Sequence, residues 1–448
     1  MLSAFANSLK VPELRQRIFF TLSMIFICRI VAAIPAPGIN PKALAALMDQ
    51  LAQGSAGGVV GLFNLFSGGA LENFAVGALG IMPYISASII LQLMTAVVPT
   101  LERLSREGDV GRQKITQYTR YLTIILCIVQ GWVMAAALEN PARFADLGAA
   151  IVPHPGVGFK LMAVLSLTSA SMLLMWLGEQ ITDRGIGNGI SLIITISIIS
   201  SLPQAIKTLI GMFTAPEGAT ANFSIFHLVA LLLTFFLVTA GTVAITQAVR
   251  KIPVRYAKRV VGNKVYGDQS TYMPLRVNYS GVMPIIFAQA ILMVPGIALS
   301  VIKAPWAQKM VAGFQPGAPS YILIYGLMIL FFSYFWVATQ FNPIQIADDL
   351  KRNGGYVPGI RPGKPTAEFL DRTMTRLTLA GALALTFIAV FPMLLNRQFQ
   401  IDFLVASFFG GTSLLIMVGV MLDTMRQIES HLLNRHYDGF LKKGKLKR

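Results

Sequence analysis

At 448 residues, 54% hydrophobic and only 13% charged, the chain carries about half the charge of an ordinary soluble domain. A water-soluble core of this size would still need a charged surface, so the composition excludes a soluble globular protein and points to a surface that mostly faces lipid. The net charge of +17 suits Lys and Arg held in cytoplasmic loops and does not mark nucleic acid as a substrate, although such loops would attract the phosphates of a ribosome.

At the N-terminus, Lys10, Arg15 and Arg17 precede an apolar run from Ile18 to Ile27, the pattern of a signal peptide. The run continues past Arg29 to Ile34 and many more follow, so it reads as a retained first span. Stretches able to cross a hydrocarbon core lie near 18–34, 76–98, 121–138, 160–178, 187–206, 224–248, 280–302, 319–340, 375–395 and 403–424. Alternating ten-residue strand signals are absent, and backbone in lipid is satisfied only in helices or closed barrels, so all ten are expected to be helical.

Two regions break the pattern. Residues 57–74 are apolar but short and rich in Gly; they form either a re-entrant segment buried at membrane depth or an extracytoplasmic loop with a few buried aromatics. The loops 249–279 and 341–376 are long, and long loops in compact proteins are commonly functional. The first holds Arg255-Tyr256-Ala257-Lys258-Arg259 and the second Tyr356-Val357-Pro358-Gly359-Ile360-Arg361-Pro362-Gly363. Charge interleaved with aromatic, Pro and Gly residues suggests shaped docking surfaces, where charge alone would only orient the chain.

Of the 37 Lys and Arg residues, 29 fall in the alternate loops that share a side with both termini and 7 in the others, with Arg29 inside the first span. The bias places both termini in the cytoplasm and supports an even number of spans. Ten spans divide into two sets of five about 207–223, and two similar five-span halves would be inverted in the membrane.

No catalytic constellation stands out. Cys28 and Cys127 have no partner at metal-ligand spacing, and His154, His227, His431 and His436 are scattered. The glycines 185, 187 and 189 open a span instead of following a strand, unlike a nucleotide-binding loop. No enzyme, cofactor or metal centre is expected. An ion-coupled transporter is the chief rival, but it would keep charge in mid-span. Here only Arg29 is interior, with Asp402 and Asp423 near the ends of the last span. A passive polypeptide channel needs instead an apolar collar that seals by dewetting. Ile81 and Ile85 are four residues apart, as are Ile186 and Ile190; such pairs either seal a pore or pack in a helix interior.

Several stretches then carry a resemblance. They are Phe66-Ser67-Gly68-Gly69-Ala70-Leu71, Gly80 to Ile90, Gln117 to Tyr121, Trp176 to Thr182, Gly185 to Ser191, Tyr256 to Arg259, Phe341-Asn342-Pro343, Val357 to Gly363, Met374 to Thr378 and Gly410 to Ile416. In this order along nearly the whole chain, they closely resemble the bacterial SecY family, channel subunits of the Sec protein translocon. The resemblance implies an all-α membrane protein, with ten transmembrane helices in two inverted five-helix halves around a central pore. The N-terminal half would be 1–206, the external hinge loop 207–223, the C-terminal half 224–424 and a cytoplasmic tail 425–448.

The resemblance also implies site roles. A waist of six isoleucines would be Ile81, Ile85, Ile186, Ile190, Ile286 and Ile416. A plug helix would occupy roughly 61–74, including Asn64, Leu65, Phe66, Ser67, Gly68, Gly69, Ala70 and Leu71. Ser86, Gln130 and Gln289 would line a seam opening sideways to lipid. Arg255, Lys258, Arg259 and Arg361 would dock a SecA motor ATPase or a ribosome with its nascent chain. SecE-like and SecG-like membrane subunits, signal sequences and the lipid bilayer complete the implied partners, in a bacterial inner membrane. A segment in such a channel would leave sideways if apolar; a central Lys, Arg or Asp costs about 2.5–3.5 kcal/mol on a scale itself measured with translocons.

Overall fold

The computed structural model describes residues 11–40, 42–44, 46–47, 57–139, 151–213, 225–256, 259–261, 264–266, 270–301, 310, 313–314, 318–399, 403–410 and 412–444. In chain order the helices are α1 (Pro12–Ala33), α2 (Gly57–Ser67), α3 (Met82–Val97), α4 (Pro99–Arg106), α5 (Asp109–Glu139), α6 (Val157–Arg184), α7 (Gly189–Ser200) and α8 (Leu202–Phe213). They continue as α9 (Ile225–Gln247), α10 (Met283–Val301), α11 (Pro319–Gln340), α12 (Pro343–Arg352), α13 (Lys364–Phe399), α14 (Phe403–Gly410) and α15 (Thr412–Gly444). Five short strands accompany them: β1 (Val249–Tyr256), β2 (Arg259–Val261), β3 (Lys264–Tyr266), β4 (Ser270–Arg276) and β5 (Gly355–Tyr356).

Among the described residues, 8 helical stretches are long and apolar enough to cross a membrane. The bent pair Met82–Val97 and Pro99–Ser105 makes a ninth. The remaining predicted span, 280–302, corresponds to α10, of which Met283–Leu292 is a shorter apolar helix. Pro295 sits inside α10, and a proline there removes one i→i−4 bond and crowds the preceding turn. The 103° bend after α3 has a similar cause. Val98, with φ −94° and ψ 112°, takes the extended shape imposed on a residue before proline, and Pro99 restarts the chain as a new helix.

The molecule is dressed as a membrane protein. Large apolar side chains face outward, with Phe226 79% and Phe26 66% exposed. Hydroxyls turned inward bond their own helix: Thr123 to Thr119 O, Thr195 to Ser191 O, Thr242 to Val238 O and Ser333 to Ile329 O. Each buried donor is thereby satisfied without a partner on another helix.

The long loops differ from the sequence expectation. Residues 99–120 hold α4 and the start of α5, and 341–376 hold α12, β5 and the start of α13. The loop 249–279 is built of strands: β1 pairs antiparallel with β4 and, along its other edge, with β5, while β2 pairs with β3. Residues 425–444, read as a tail, continue α15. Of the expected hinge loop, 207–213 belong to α8 and 214–223 lie outside the described residues.

Candidate functional site

The centre of the molecule is an apolar cluster to which most helices contribute. Ile81, Ile85, Ile286 and Ile416 are buried in it, and Ile190, partly buried, packs against it. Ile416 is 0% and Ile286 2% exposed. Leu65 and Phe66 of α2 belong to the same cluster. Ile81 caps α3, and its carbonyl accepts from Ile85 N at 3.1 Å, so this pair shares a helical face as its spacing predicts.

The second pair does not. Ile186 precedes α7, in a linker where Gly187 has φ +87°, so the i,i+4 argument fails for Ile186 and Ile190. Ile186 is buried beside Leu14 and Ile428, in a cluster apart from the other five isoleucines. Its amide donates to Thr21 Oγ1 at 3.2 Å, and the next amide, Gly187 N, donates to Gln427 Oε1 at 2.9 Å. Asn188 caps α7 by accepting from Ser191 N at 3.2 Å. The linker is thus clamped by α1 on one side and α15 on the other, contacts that no local spacing announces.

Residues 57–67 form α2, which packs on α7 and touches α10 and α14. A run of turns then leads to Gly80. Leu65, Phe66, Ser67, Gly68, Ala70 and Leu71 are buried, whereas Asn64 and Gly69 are partly exposed. Gly68 (φ +69°) and Gly69 (φ +83°) reverse the chain in the left-handed region open to glycine. Few polar contacts fix the segment. Arg29 Nη2 donates to Gly68 O at 3.1 Å, and Ser200 Oγ donates to the same carbonyl at 3.0 Å. Glu72 Oε1 accepts from Asn64 Nδ2 at 2.7 Å and from Gln204 Nε2 at 3.1 Å.

Helices α3 and α10 lie in direct contact. Ser86 and Gln130 are partly exposed. Gln289, on α10, is 3% exposed and its Nε2 donates to Thr412 Oγ1 at 2.9 Å. The Oε1 atoms of Gln130 and Gln289 are buried without a hydrogen-bond partner among the described residues.

At the strand-bearing end, Arg255 of β1 stands opposite Tyr356 of β5, so the two long loops meet in one sheet. Ile252 is buried with Leu275, Val357, Leu370 and Met374, and Ile360 packs against them. Pro358 and Gly359 (φ +84°) make the turn closed by Ile360 N donating to Val357 O at 3.1 Å. With Val357 and Ile360 anchored inward, Arg361 and Arg255 are left exposed. Arg259 opens β2, and Lys258 lies outside the described residues.

The comparisons with known proteins show the family and the fold. Residues 75–425 match the SecY family model. The chain is 44% identical to a protein translocase subunit SecY of Streptomyces scabiei, over 99% of this chain and 100% of that protein. It is 45% identical to its Escherichia coli K12 counterpart, over 97% of this chain and 95% of that protein. Three solved structures share the fold, each over 92% of this chain and 91% of the other, at 17–18% identity. They are a protein-conducting channel (TM-score 0.60), a SecY whose plug domain stabilises the closed channel and maintains a membrane seal (0.56), and Sec61 in a canine ribosome–channel complex from the endoplasmic reticulum (0.55).

The fold and the relatives together define a multi-span membrane protein of the protein-translocase class, not an enzyme. The chain belongs to the SecY family.

Proposed function

We propose that this chain is a gated conduit whose waist is closed by isoleucines and whose external funnel is closed by the 57–74 segment. The observation that carries the reading is a shared one: Leu65 and Phe66 of α2 are buried in the same apolar cluster as Ile81, Ile85, Ile286 and Ile416, drawn from α3, α10 and α15. A branched apolar collar excludes hydrated ions by dewetting and has no chemical preference among the chains that pass it. Ile186 joins that collar only if its linker moves, since it is buried apart from the others.

Lateral release of apolar segments into lipid would part α3 from α10. Gln130 and Gln289, each holding an unpartnered carbonyl oxygen, then gain water or a passing polar backbone on opening. The sheet that joins the two long loops is the docking face. Arg255 and Arg361, with Lys258 and Arg259 carried by the same loop, offer positive charge to ribosomal RNA or to a SecA-type motor. The charge bias supports an orientation with this face and both termini on the cytoplasmic side, and the bacterial relatives support an inner membrane. Small SecE-like and SecG-like subunits would cover part of the exposed apolar surface.

Replacing residues 61–74 with a short linker tests the reading in planar bilayers. The basal ion conductance of the purified complex is expected to rise sharply. Unchanged conductance together with saturable uptake of a small solute would overturn the channel reading in favour of a transporter.

A further inference from the structure

Arg29 has no role in the conduit described so far, yet it is the one cation inside the first span. A charge at that depth has to be reconciled with its surroundings. Near the end of a span it would ordinarily snorkel to the interface, and among the described residues no carboxylate pairs with it. Instead its Nη2 donates inward, to the main-chain carbonyl of Gly68. That carbonyl belongs to the turn by which the 57–74 segment leaves α2, and it also receives Ser200 Oγ from α7.

The fit is close. A Cβ added at Gly68 would lie 2.5 Å from Arg29 Nη1 and 3.0 Å from the backbone Cα of Ser197, at a φ of +69° that side chains rarely adopt. A cavity of about 20 Å³ beside the guanidinium is lined by Arg29, Ser67, Gly80, Ile81 and Ser197, among others. It adjoins both the segment and the waist, and a site of that size holds roughly one water.

We infer that Arg29 is the latch of the plug: its guanidinium and the Ser200 hydroxyl together clasp the Gly68 carbonyl and hold the segment in the closed funnel. The latch rests on the channel reading above. Its chemistry suits a seal that must be tight and yet release. A charge-assisted bond to a single carbonyl is strong where water is scarce. Once the segment moves outward, water entering the funnel hydrates both the guanidinium and the freed carbonyl, so the open state carries no orphaned charge. An apolar contact alone would lose its partner without such compensation.

The test measures basal ion conductance of the purified full complex in planar bilayers for R29M, R29K, S200A and G68A, with the first three also measured in the background lacking the 61–74 segment. Loss of the charge-assisted bond in R29M is expected to raise the open fraction about tenfold or more. R29K, which keeps a donor and the charge, is expected to fall between R29M and the parent. S200A is expected to give about a twofold to threefold rise, because one donor remains. G68A is expected to behave like R29M with Arg29 intact, and it reads the same contact if R29M does not assemble.

In the background lacking the 61–74 segment, R29M should add nothing, because the latch has nothing left to hold. R29M and G68A both conducting like the parent, while removal of the segment still raises conductance, would overturn the latch and leave the channel intact. An equal rise caused by R29M with and without the segment also overturns it, since Arg29 would then act on the pore wall. If removal of the segment itself changes nothing, the channel reading fails instead.

Discussion

The proposed waist and the strand-bearing end use opposite physics on one chain. At the waist, Ile81, Ile85, Ile286 and Ile416 are buried with Leu65 and Phe66, and the segment 57–74 is fixed by a handful of polar contacts. At the other end, buried Ile252, Leu275 and Val357 form a small foundation, and what matters lies on top of it, exposed and positive. A seal depends on the absence of charge and on shape, so one misplaced charge ruins it. A docking face depends on the sign of its charges and on a scaffold that holds them out. The two should therefore fail separately, one in ion tightness and the other in recruitment of a driver.

The largest expected effect lies at the waist. Ile416, 0% exposed, is buried in the apolar cluster. Burying an unpaired charge costs several kcal/mol, and hydrating it wets the constriction. Ile416→Asp is expected either to depress assembly or, where the complex assembles, to conduct ions without a plug displacement. Conductance together with the thermal midpoint of the purified complex checks this. Parent-level values of both would break the contrast drawn here.

Next in size is the docking face. Arg361 is exposed, and its main chain serves the turn: Arg361 O accepts from Thr366 Oγ1 at 2.8 Å. Arg361→Glu leaves that bond available and reverses the charge. It is expected to reduce export of a signal-bearing reporter by more than about tenfold, the loss that follows when like charges meet at an interface. Ion conductance and the thermal midpoint are expected to stay near parent values. A leak in this variant would mean the two ends are not separable.

The contrast also explains how much could be read before the fold was known. Runs of apolar residues report spans directly, because lipid demands them, and the resemblance supplied the order of the site. Bends were harder: the 103° turn at Pro99 and the interruption at Pro295 follow from residues in plain view, but their size depends on what the helix packs against. The strands were legible in part. Ile252 and Val254 are buried between exposed Lys251, Pro253 and Arg255, a period-two pattern too short to stand out among the charges of the loop.

The pairing of β1 with β5 joins residues about a hundred positions apart, and nothing local encodes it. The same is true of the clamp on Ile186. Its four-residue spacing from Ile190 suggested a shared helical face, but glycines on either side of Ile186 keep it out of the helix, and Thr21 and Gln427 then decide where it lies. Arg29 stands out as a charge in a span, but its partner is a carbonyl thirty-nine residues away, which no local spacing encodes.

The smallest effect sharpens the comparison most. Gly359 sits at φ +84°, with nothing within 4 Å of an added Cβ. Gly359→Ala therefore creates no clash, and its cost is the backbone strain of a left-handed residue, about 1–2 kcal/mol. That strain falls on the turn between Val357 and Ile360, whose burial positions Arg361. The change is expected to weaken recruitment of the motor or ribosome by about tenfold at most, measured as binding to the purified complex. Salt dependence of that binding should stay as in the parent, because every charge is still present. In Arg361→Glu it should change, because a charge has been reversed. A Gly359→Ala complex that binds like the parent would show that the scaffold under Arg361 tolerates displacement, and that the docking face depends on charge alone.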